Sequence, residues 1–176
     1  MRAIKWLLIL LSIVAICIAV LIYRATHPAN HYSKVHLRRF HDAAEWTLYS
    51  LDPSALREES LQDSFHGYLV LGSHRENDPQ LLRELVRELE DAAEKWSGGI
   101  IVCFNPRHGI RVSQDGKNFD LSICYECSRV HIYEGSKEVG VMHLTTDAQQ
   151  EPSPERLNDL LVKAGVRLPM KPKHDQ

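Results

Sequence analysis

Residues 100–133 carry the pattern that most limits what this chain can become. Phe119, Leu121, Ile123 and Tyr125 alternate with Asp120, Ser122, Cys124 and Glu126, the period-two signature of a half-buried strand. Asp115-Gly116, just ahead of it, is a favoured two-residue hairpin turn, and 110–113 supplies the other arm. The nearly continuous apolar run 100–104 predicts a strand covered on both faces. Asn105-Pro106-Arg107-His108-Gly109 then forms a corner. A second hairpin, 129–133 against 139–144, turns at Gly135-Ser136. An antiparallel sheet is the simplest fold that accommodates all of these.

The flanks extend that sheet and give it helices. Alternation over 45–51 predicts a strand stopped by Asp52-Pro53, and 66–72 a second one ended by Gly72-Ser73. Asp78-Pro79 offers an N-cap acceptor and a proline at the first helical position. Leu81, Leu82, Leu85, Val86, Leu89, Ala92, Ala93 and Trp96 then recur at helical spacing, so 78–96 reads as a helix with one apolar stripe. Its acids and arginines make the wet face. A closing helix starts at Ser153-Pro154-Glu155 and ends at Gly165. The fold class predicted is α+β: a mainly antiparallel sheet covered by helices over residues 45–168, with a flexible tail at 169–176.

Ahead of this domain, Trp6 to Tyr23 is a run without a charged residue, just long enough to cross a hydrocarbon core of about 30 Å. Trp6 and Tyr23 stand at its ends, where such rings favour headgroups. The reading is an N-terminal transmembrane helix: residues 1–24 as an uncleaved signal-anchor, with the lipid bilayer as partner through residues 6–23. Residues 25–44 become a polar juxtamembrane tether, whose His31, His36 and His41 do not share a helical face. The protein is then a single-pass protein of the cell membrane with an extracytoplasmic domain.

The net charge of −2, with both signs interspersed, leaves no basic footprint for nucleic acid. Chemistry therefore centres on the cysteines. Cys103-x4-His108, then a fifteen-residue gap, then Cys124-x2-Cys127, is a permissive spacing for a structural zinc site with Cys103, His108, Cys124 and Cys127 as ligands. On one regular strand Cys124 and Cys127 face opposite ways, so a shared ion requires a bulge or turn there. Two further readings stand beside zinc. Cys103 pairs with Cys124 or Cys127 in a disulfide, leaving one thiol over, or all three are small buried hydrophobes. Redox catalysis is disfavoured, because a reactive Cys-x2-Cys pair normally opens a helix. Arg107 and His108 offer an anion or partner contact, or else Arg107 caps the sheet by pairing with Asp120 or Glu126. The sequence contains no haem-attachment motif, phosphate-cradling glycine loop or His-Glu-x2-His.

Cys103-Phe104-Asn105-Pro106-Arg107-His108-Gly109, followed by Leu121-Ser122-Ile123-Cys124-Tyr125-Glu126-Cys127, resembles a pattern in uncharacterised bacterial proteins. Those proteins are short and often membrane-anchored or exported. The likeness spans residues 66–134 and implies that the three cysteines and the corner belong together. It brings no activity with it. The function expected is a membrane-anchored, non-catalytic binding or scaffold module with a structural Cys/His cluster, its partner a protein or a small anionic ligand. The competing class is an enzyme, a metal-dependent hydrolase or a thiol oxidoreductase, using the same cluster.

Overall fold

The computed structural model describes residues 6, 12–19, 34–54, 64–98, 102–145 and 152–170. The chain divides into two compact units, residues 1–29 with 97–99 and residues 30–96 with 100–176. In the first unit the described residues 12–19 are helical (α1) and exposed. Among the described residues no helix is long and apolar enough to cross a membrane, which corrects the transmembrane, single-pass reading. Positions 7–11 and 20–23 of the apolar run, and 25–33 of the tether, lie outside the described residues.

The second unit corrects the α+β expectation as well, since the sheet dominates and its helices are short. Seven strands form one antiparallel sheet in the order β2-β3-β1-β4-β5-β6-β7, curved into a half-barrel. They are β1 (Trp46–Asp52), β2 (Ser64–Phe65), β3 (Tyr68–Glu76), β4 (His108–Gln114), β5 (Lys117–Cys124), β6 (Arg129–Glu134) and β7 (Lys137–His143). The helices of this unit are α2 (Lys34–His41), α3 (Pro79–Glu94) and α4 (Glu155–Lys163).

The two-residue turns set the register. Across Asp115-Gly116, Ile110 faces Leu121 and Arg111 faces Asp120; across the next pairing, Ser122 faces His131 and Asp120 faces Tyr133. Alternation then sends Phe119, Leu121 and Ile123 to one face, with Trp46, Leu48, Ile110, Val112, Val130 and Ile132, all in the main core. Asp120, Ser122 and Cys124 point to the other face. Both sets are buried, so β5 is a strand covered on two sides.

Helix α3 covers the main core with Leu82, Leu85, Val86, Leu89, Ala92 and Ala93. Asp78 caps it, accepting the N–H groups of Gln80 and Leu81 at 2.9 and 3.0 Å. Where a polar tether was expected, α2 packs Leu37 and Phe40 fully into the same core. Those two residues sit three apart, on one face of a helical turn. The wet face of α3 also takes partners: His41 on α2 meets Glu90 at 3.0 Å, and Arg156 on α4 meets Glu88 at 2.7 Å.

Two strand assignments shift. Residues 102–107 are not a strand; Val102 is 93% exposed, and the apolar run 100–104 is not covered as predicted (99–101 lie outside the described residues). The strand expected to run through Glu126 stops at Cys124, and residues 125–128 turn, with Ser128 in the left-handed region at φ 46°.

Candidate functional site

The outer face of β4, β5 and β6 is where polar chemistry collects. Asp120, fully buried, accepts two hydrogen bonds from Arg111, Nε to Oδ1 at 2.8 Å and Nη2 to Oδ2 at 2.7 Å. His66 Nε2 lies 2.7 Å from the same Oδ2. Burial alone would raise the Asp120 pKa; hydrogen bonds from Arg111 and then His66 outweigh it and hold the carboxyl below its usual range. His66 reaches there from the β2–β3 turn, where it sits at φ 53° beside Gly67 at φ 83°. Positive φ at both central residues suits a tight hairpin.

Rings roof this network. His66 stacks on Tyr133 at 3.6 Å between centroids, Phe104 stacks on His131 at 3.8 Å, and Phe65 lies 4.9 Å from both Tyr49 and His66. The Arg111 guanidinium lies over the Tyr49 and Phe65 rings at 5.6 and 5.1 Å. Gly109 makes this possible: a Cβ there would stand 2.7 Å from Phe65 Cε1. Leu51, Phe65 and Tyr68 form a second small core on this side. Clefts of about 310 and 400 Å³ open on either side of Tyr49 and Arg111. The first is polar, lined in part by Glu45 and Arg75, which form an ion pair.

The three cysteines of the second unit meet at the end of this face. The β5–β6 turn folds Cys127 back so that its N–H donates to Cys124 Sγ at 3.2 Å. All four cysteines are free; Cys103 is exposed, whereas Cys124 and Cys127 are buried. Burial raises the pKa values of Cys124 and Cys127.

His108 is not with them. It pairs with Ile123, which places it on the main-core face, opposite to Cys124. It is 1% exposed, its Nε2 lies 2.9 Å from Asn158 Oδ1, and burial brings its pKa down to about 4. Among the described residues no group of three or more His, Cys, Asp or Glu is arranged to hold a metal ion. The zinc reading on Cys103, His108, Cys124 and Cys127 is corrected accordingly, the sheet having separated the imidazole from the thiols. Arg107 is occupied too, with Nη2 3.1 Å from Glu126 and Nη1 donating to the Met170 carbonyl at 3.3 Å.

One further set of residues has the composition of a hydrolytic triad. Ser122 faces His131 across the strands, and His131 Nδ1 lies 2.7 Å from Glu138 Oε2. Ser122 is fully buried, however, and its hydroxyl has no hydrogen-bond partner among the described residues. A nucleophile that neither contacts its base nor meets solvent has no route to substrate.

The reading of residue types alone missed Arg111, His66, Tyr133 and Asn158. Arg111 was within reach of it: a two-residue turn at Asp115-Gly116 sets Arg111 against Asp120 by counting outward. His66 and Asn158 arrive from distant turns and helices, which no local count supplies. Comparisons with protein-family models, with curated proteins and with solved structures find no match.

Proposed function

We propose that this protein is a non-catalytic binding or scaffold module whose cysteines are structural. The observation that carries the reading is where the thiols lie: Cys124 and Cys127 are buried at the β5–β6 turn, and burial pushes both towards the protonated form. A thiol nucleophile needs the opposite shift, usually from a helix N-terminus or an adjacent cation. Cys124 instead accepts the N–H that shapes the β5–β6 turn. Support also comes from Asp120, whose carboxylate is spent on Arg111 and His66. The surface left for a protein or a small anionic ligand lies in the clefts beside Tyr49 and Arg111.

The test is alkylation of the folded chain across pH. No thiol of this cluster should show a thiolate midpoint below neutrality, and Cys124→Ser should lower the melting temperature. A thiol half-ionised below neutral pH would replace this reading with that of a thiol oxidoreductase.

A further inference from the structure

Strand β1 runs between β3 and β4, and one row across the three strands gathers positive charge. Thr47 faces Arg75 on β3 and Arg111 on β4, so two arginines flank one hydroxyl. Trp46 and Leu48 enter the main core, and alternation therefore turns Thr47 and Tyr49 to the outer face. Thr47, Tyr49, Arg75 and Arg111 all line the polar cleft of about 310 Å³, together with Glu45 and Ser113. Ser113 is already committed, its hydroxyl donating to Asn118 Oδ1 at 2.7 Å.

The two arginines are held in different ways. Asp120 takes two of the five donors that a guanidinium carries, and fixes Arg111 in place while 30% of the side chain stays exposed. Arg75 meets Glu45 at the surface, where the two side chains are 74% and 55% exposed. An exposed pair of this kind is worth little, so another anion can take the place of Glu45 at small cost. The buried Asp120 balances the charge of Arg111. The attraction the cleft can offer is therefore that of Arg75, with Arg111 and Thr47 adding donors. Its volume is at the low end for ligand sites and admits a small anion or the charged end of a larger molecule.

We propose that this cleft binds a small oxyanion, a carboxylate or a phosphate, which displaces Glu45 from Arg75. The proposal rests on the binding-module reading and gives its ligand a chemistry. Glu45 is then a built-in competitor, a role that a merely structural ion pair would not have.

The full chain is titrated with inorganic phosphate and, separately, with succinate, each replacing chloride at constant ionic strength so that screening does not change. Backbone amide NMR signals are followed throughout. The expected result is saturable shifts centred on Thr47, Arg75 and Arg111, with the better of the two anions assigning the ligand as phosphate or carboxylate. Arg75→Gln should weaken binding by about tenfold or more at unchanged melting temperature. Glu45→Gln should tighten it by up to about fivefold, the whole worth of an exposed pair. Shifts centred elsewhere, no saturation with either anion, equal binding by Arg75→Gln, or binding by Glu45→Gln that is no tighter than wild type would each overturn the proposal. The binding-module reading is judged separately, by the thiolate midpoints. An empty cleft with no reactive thiol would remove this ligand and leave that reading in place.

Discussion

Arg111 and Asp120 face each other across the β4–β5 hairpin and meet through two hydrogen bonds, of 2.8 and 2.7 Å. The carboxylate is fully buried, and the guanidinium side chain is 30% exposed. A buried charge that loses its partner is worse off than one that never existed. Arg111→Ala should therefore cost about 3 kcal/mol in urea unfolding. The double variant with Asp120→Ala should cost clearly less than the sum of the two singles. Additive losses would mean that the pair contributes nothing as a pair.

Acid should destabilise this domain in two stages, and the signs follow from where the protons go. The His108 pKa falls from 6.5 to about 4 on folding, so between those values the unfolded chain holds a proton that the folded chain refuses. Stability is then highest above pH 6.5 and declines as pH drops towards 4, by about 3 kcal/mol in all. Asp120 is also held below its ordinary value of 3.8, so its contribution disappears at still lower pH. Unfolding free energy measured across pH should show the first decline in the wild type and a flatter curve in His108→Gln.

Gly109→Ala should cost about 2 kcal/mol, the usual range for forcing a methyl into a packed contact. The added carbon would sit 2.7 Å from the Phe65 ring. Phe65→Leu in the same chain should recover part of the loss, as chemical denaturation of the single and double variants would show. No recovery would place the strain elsewhere on β4.

Ser122→Ala should leave stability unchanged or raise it by up to ~1 kcal/mol, because it removes a buried hydroxyl that finds no partner among the described residues. A marked fall in melting temperature would reveal a hydrogen bond that the geometry does not contain.

Turns and alternation were legible in the sequence; covering was not. Asp115-Gly116 and Gly135-Ser136 placed both hairpins, and Asp78-Pro79 placed the start of α3, because each depends on residues adjacent in the chain. The run 100–104 looked buried because it is apolar, yet Val102 is exposed and the chain becomes a strand only at His108. Alternation through Glu126 suggested a strand to that point, but the left-handed Ser128 ends the β5–β6 connection as a turn. That same turn brings Cys127 beside Cys124, as a shared cluster requires. The spacing gave no sign that His108 would fall on the opposite face, which follows from its pairing with Ile123. Leu37 and Phe40 were hidden among histidines and arginines whose polarity suggested a tether.

His66 leaves the turn before β3, yet it touches Asp120 on β5 and stacks on Tyr133 of β6. In sheet order, β3 and β5 are three strand spacings apart, about 14 Å if the sheet lay flat. A contact of 2.7 Å over that span works like a buckle drawn across a strap. A flat meander can peel away from either margin one strand at a time. Here the first strands cannot lift without opening the buckle, and the middle strands cannot separate without losing it. Melting should therefore take the whole half-barrel in one step, and cutting the chain within the His66-Gly67 turn should loosen strands far from the cut.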